Sequence, residues 1–151
     1  MSAFTPSPGP GRECPAVDRE HDIIVKTMAG LHNAVLEGRG GAVIAPLLDL
    51  LARFCAEHFS NEEGLMRDYA YPDVEKHAAA HDRFLRRILQ LQGLAHEAVT
   101  PTIVETMELL TMLAEHTDRY DREAVYCIQE GIRQREGVGE ERARAIACAA
   151  V

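Results

Sequence analysis

The stretch His58-Phe59-Ser60-Asn61-Glu62-Glu63-Gly64-Leu65-Met66, followed after Tyr71-Pro72 by His77-Ala78-Ala79-Ala80-His81, decides the fold. It holds two i,i+4 pairs, His58 with Glu62 and His77 with His81, and such pairs lie on one helical face about 6 Å apart. Pro72 enforces a break between them, so the pairs belong to two successive helices. Leu47, Leu51, Phe54, Leu65 and Tyr69 share the face of the first pair, while Phe84, Ile88 and Leu91 extend the second at the 4-3-4-3 steps of a bundle seam. The spacing predicts one helix from about residue 42 or 45 to 69, with Pro46 in or near its first turn, and another from about 73 to 94.

Two further helices flank these. Asp18 is a fitting N-cap for a helix that turns His21, Ile24, Val25, Met28, His32 and Val35 inward until Gly38, Gly40 and Gly41 stop it. A last helix, with Thr100 and Pro101 as N-cap and first residue, runs to about Gly131 and presents Leu109, Leu113, His116, Tyr120 and Ile128. Four helices joined by short loops make an all-α, up-down-up-down four-helix bundle over residues 18–134. Residues 1–17, which hold four of the seven prolines, are expected to form an irregular, extended N-terminal arm. Residues 135–151 form a tail whose Ala-rich end can make a short fifth helix from Glu140.

Composition bounds the function. At 151 residues the chain is expected to be one domain, and its net charge of -8 without a Lys/Arg stripe argues against a nucleic-acid partner. No apolar run approaches the roughly 18 residues of a membrane span, and residues 1–17 lack both a basic and an apolar leader segment. The expectation is a soluble, unexported, cytoplasmic protein. Cys14, Cys55, Cys127 and Cys148 are scattered, with no paired motif for a disulfide framework or thiolate zinc site.

Histidine carries the chemistry. A single His on an inner face is ordinarily a hydrogen-bonded core residue, but here all four helices carry one among apolar neighbours. Burying that many rings plus a carboxylate without compensation would cost several kcal/mol, which a shared metal removes. Imidazole and carboxylate without thiolate suit iron, zinc, copper or nickel, and two bridging carboxylates suit a pair of redox-active irons. His32 lies about 16 Å along the helix from His21 and cannot reach the same metal. Glu63 projects about 100° from Glu62 and is expected to face solvent or to support a ligand. Tyr120 is expected to pack, and His96 to be exposed in a loop.

These segments together resemble the hemerythrin family, in particular its stand-alone bacterial members, from about Asp18 to Gly131. The resemblance rests on Asp18-Arg19-Glu20-His21 leading to Leu31-His32-Asn33-Ala34, on the two quoted stretches, and on His116 with Asp121. It implies one iron held by His77, His81 and His116 and another by His21 and His58, with Glu62, Asp121 and a solvent-derived oxygen bridging both. The second iron then keeps one open coordination position, lined by Phe59, Met112 and Leu113. Asp121 falls about 140° round a regular helix from His116 and is expected to approach from the side; spacing alone does not nominate it. Many relatives carry Trp where this chain has Met112.

The function implied is reversible dioxygen binding for storage, transport or delivery, by a carrier rather than an enzyme, since the spacing places no spare acid or base beside the metals. An O2- or redox-sensing module acting on an unidentified protein client, and an enzyme consuming peroxide or nitric oxide, are the alternatives. A structural zinc bundle fits least, because seven ligands exceed a tetrahedral shell.

Overall fold

The structure is a computed structural model in which residues 15–149 are described, with side chains described for residues 19–137. Its elements are α1 (Pro15–Leu36), α2 (Gly41–Asp68), α3 (Val74–His96), α4 (Ile103–His116), a π-helical turn (Thr117–Asp121) and α5 (Arg122–Ala149). Packing of α1 on α2, α2 on α3, α3 on α4 and α4 back on α1 closes the expected all-α bundle. Among the described residues there is no strand, and no helix is long and apolar enough to cross a membrane.

Local chemistry sets the boundaries, and several differ from expectation. α1 opens at Pro15 rather than behind Asp18, because a proline at the first helical position forgoes only an N–H that would be unpaired anyway. The rest of the anticipated arm lies outside the described residues. α1 stops at Gly38, whose φ of 67° allows the Arg39 N–H to reach the Ala34 carbonyl at 2.9 Å. α2 begins at Gly41, one residue before the earlier of its two expected starts, so Pro46 is its sixth residue, next to the first turn. The N-cap of α4 is Thr102 instead of Thr100: its hydroxyl accepts from the Glu105 N–H while the Glu105 carboxylate accepts from the Thr102 N–H. Gly131 and Gly137 end nothing, and α5 runs on to Ala149, so the tail continues the last helix and is not a separate short one. Each interior glycine costs about 1 kcal/mol relative to alanine, which weakens the helix without ending it.

The core has two parts. The larger is built from Ile24, Met28 and Leu31, from Leu48, Leu51 and Phe59, and from Phe84, Ile88, Leu109 and Leu113. Its α1 contribution follows Leu31 rather than Val25, which is exposed. The smaller joins Met66 and Tyr71 to Ala124 and Ile128 of α5. Along α2, His58 and Glu62 fall between Cys55 and Met66; along the last rod, His116 and Asp121 fall between Leu113 and Ala124. The polar layer is therefore held between two apolar ones.

Candidate metal centre

Five buried side chains from three segments converge in that layer. Glu62, His77, His81, His116 and Asp121 each offer a ligand atom, and these atoms all lie within 4.8 Å of one another. The Nε2 atoms of His77 and His116 are 3.0 Å apart and lie 3.1 and 2.8 Å from Asp121 Oδ1. His81 Nε2 is 3.2 Å from Glu62 Oε2. His21 Nε2 lies 3.1 Å from the second oxygen of Asp121, Oδ2, and His58 Nε2 lies 3.9 Å from the same Glu62 Oε2 that faces His81. The rings of His21 and His58 meet at 4.5 Å between centroids. All seven residues expected to hold metal are thus brought to one place. Asp121 turns one oxygen to each histidine set.

The donor set fits a metal cation. Both oxygens of Glu62 and of Asp121, with Nε2 of His58 and of His81, are buried and have no hydrogen-bond partner. Buried anions are tolerated only when paired or ligating, and a divalent cation would satisfy these atoms together. Electrostatics agree. Burial pushes the Asp121 carboxyl up, but His116, His21 and His77 beside it outweigh burial and hold it well below the usual carboxylate range. Burial, with the adjacent His21, lowers His58 and keeps its imidazole neutral, the form that binds metal.

Outside this ring, carboxylates hold the far nitrogens. His58 Nδ1 donates to Glu20 at 2.8 Å, and Glu20 accepts in turn from Asn61 at 3.1 Å. His81 Nδ1 donates to Glu63 at 3.1 Å, and Glu63 pairs with Arg67 at 2.9 Å. Glu63 therefore supports a ligand, as one of its two expected roles had it. Glu20 was given no role by the sequence, although its place beside His21 was the available signal.

Aromatic and apolar groups close the layer. Phe59 stacks on His81 at 4.0 Å, and Tyr120 stacks on His116 at 5.4 Å, the packing role expected of it. Phe59 and Leu113 are buried, whereas Met112 is half-buried and lines an open cleft of about 470 Å³ with Phe84, His116 and Tyr120. Phe59 and Leu113 do not line that cleft. His32 donates to the Thr106 hydroxyl at 2.8 Å, away from the ligands. His96 is exposed but ends α3 instead of lying in a loop, and it meets Asp49 at 2.8 Å.

Comparison with known proteins places this geometry. A bacteriohemerythrin of Pseudomonas aeruginosa is 35% identical over 72 residues, which span 48% of this chain and 46% of that protein. One of Stenotrophomonas maltophilia is 29% identical over 100 residues, 65% of this chain and 61% of that protein. The matches thus cover roughly half to three fifths of these relatives. A solved wild-type hemerythrin superposes with a TM-score of 0.69 at 25% identity, covering 75% of this chain and 87% of that one. A hemerythrin variant gives 0.75 at 24% identity, covering 85% and 98%. The family model of the hemerythrin HHE cation-binding domain matches residues 15–126, the span that carries all seven converging side chains, and the chain belongs to that family.

Proposed function

We propose that the chain holds two iron ions and binds dioxygen reversibly, as a carrier or store. The observation that carries this reading is the Asp121 carboxylate, with Oδ1 at 3.1 and 2.8 Å from His77 and His116 and Oδ2 at 3.1 Å from His21. That placement suits a bridge between a three-histidine and a two-histidine half. When bound, the iron pair supplies the electrons that reversible dioxygen binding requires. The chain's own residues hold and shield the centre. His77, His81 and His116 hold one ion, His21 and His58 the other, and Glu62 lies between both sets. Phe59, stacked on His81, and buried Leu113 exclude water from that layer. The carboxylates of Glu20 and Glu63, which adjoin the centre, are committed to ring nitrogens, which supports a carrier rather than an enzyme.

Anaerobic reduction of the iron-loaded protein, admission of oxygen, and optical and resonance Raman spectra before and after evacuation test the reading. A spectrum that forms and reverses supports it; irreversible oxidation in a single exposure overturns it.

One observation favours a second role. Asp121 leads straight into the 28 residues of α5. A shift of its carboxylate on a change of iron or oxygen state would pass along that rod to an unidentified protein client, making the centre a sensor.

A further inference from the structure

Glu20 and Glu63 do unequal work on the two halves of the centre. Both accept from an Nδ1–H, at 2.8 Å from His58 and 3.1 Å from His81, and a carboxylate at neutral pH only accepts. The proton is thereby fixed on Nδ1. Each Nε2 then presents a lone pair to the carboxylate layer, where both Nε2 atoms are buried and lack a hydrogen-bond partner. The two carboxylates differ in their own partners. Glu63 is paired with the Arg67 guanidinium at 2.9 Å, whereas among the described residues the one further partner of Glu20 is the neutral amide of Asn61 at 3.1 Å. Among the described residues no cation sits against Glu20, while Glu63 carries one.

We propose that Glu20 and Glu63 are positioning residues that set the tautomers of His58 and His81, and that Glu20, with no cation against it among the described residues, makes His58 the stronger donor and strengthens the hold on Fe(II) more than Glu63 does through His81. This rests on the metal-centre reading above and goes beyond it by assigning each half its own control. A carboxylate behind a ligand histidine raises its basicity, and losing such a partner costs roughly 10- to 100-fold in metal affinity.

The test uses Glu20→Gln and Glu63→Gln, which keep shape and remove charge. Nitrogen-15 NMR of the metal-free proteins reads the tautomers. His58 should change from Nδ1–H to a mixture in Glu20→Gln and His81 likewise in Glu63→Gln, each leaving the other ring unchanged. A merely structural role would lower the melting temperature and leave the tautomers alone, which overturns the proposal. Transfer of Fe(II) to a ferrous chelator should quicken roughly 10- to 100-fold in Glu20→Gln and less in Glu63→Gln. Equal effects, or a larger one in Glu63→Gln, overturn the inequality. Because the tautomers are read without metal, failure of the metal reading itself shows separately, as a wild-type protein that retains no Fe(II).

Discussion

His116 Nε2 and Asp121 Oδ1 lie 2.8 Å apart although they are five positions apart on one continuous rod. In a regular α-helix five residues turn about 140° beyond a full revolution, which would aim the carboxylate away from the imidazole. The π turn over Thr117–Asp121, where bonds run from i to i+5, brings Asp121, five residues on, back towards His116. The turn also leaves Asp118 outside, exposed and paired with Arg122. Asp121→Asn should therefore quicken metal loss by at least about 10-fold, within the range for losing a ligand partner, while Asp118→Asn should leave it unchanged. Dialysis against chelator followed by elemental analysis measures both, and equal retention in the two variants would remove Asp121 from the centre.

Metal binding should stabilise the bundle, because the donors come from α1, α2, α3 and the last rod. Saturation at a thousand times the dissociation constant is worth about 4 kcal/mol, or roughly 10 °C in a domain of this size. His77→Ala and Glu62→Ala should lose that gain along with the metal. His96→Ala, which touches only the exposed Asp49 carboxylate, should keep it. Calorimetry of metal-loaded and metal-free protein decides: coincident melts would show that the centre does not tie the helices together.

Much of this was legible in the sequence, and the gaps have physical causes. The i,i+4 pairs on α2 and α3 announce a shared face because the helices there are regular. Asp121 does not, because a π turn is invisible to a 3.6-residue period. Val25 and Leu31 exchange places because apolar residues stand at 23, 24, 25 and 28, and the period alone leaves the face ambiguous by one position. The anticipated break after Gly131 fails because a glycine ends a helix only where it takes a left-handed conformation, as Gly38 does. The place of Glu20 beside His21 marks it as near the centre, but its bond to His58 on another helix is not encoded in any local spacing.

Gly131 has a role that its helical setting hides. A Cβ there would stand 2.6 Å from Tyr69 Cδ1, and that ring is also covered by the Arg135 guanidinium at 4.3 Å. Gly131→Ala should lower stability by about 1–2 kcal/mol despite alanine's better helix propensity, since overpacking costs more than propensity returns. Gly137→Ala, with open space around it, should raise stability by about 0.5–1 kcal/mol. Urea melts of the two variants should move in opposite directions; a stabilised Gly131→Ala would mean that Tyr69 turns aside freely.

The metal-free protein should lose stability as pH falls. His58 is held below its ordinary value by burial and by His21, so below about pH 6.5 the unfolded chain takes up a proton that the folded one refuses. Burial works the other way on Asp121, but His116, His21 and His77 hold it low, so its contribution is present above about pH 3.9 and is lost as pH falls through the folded value. Both act in one direction. Melts of metal-free protein at pH 7.5, 6 and 5 should show falling midpoints, and a rise over that interval would contradict the signs.

Met112 tests the proposed dioxygen chemistry at the position where the family resemblance leads one to expect tryptophan. Half-buried against the larger core, it forms part of the wall of the cleft of about 470 Å³ that reaches His116. Water entering there meets the edge of the metal layer, since His116 and Tyr120 share the same wall. Met112→Trp adds bulk to the wall, and Met112→Ala removes it; a polar cleft with more room admits more water. Water near the centre favours irreversible oxidation over release of dioxygen. Autoxidation of the oxygenated protein should therefore quicken in Met112→Ala and slow in Met112→Trp, provided the larger ring seats without strain. Stopped-flow oxygen binding, followed by the decay of the oxygenated spectrum, reads both effects. Equal decay in all three proteins would show that water does not reach the centre through this cleft.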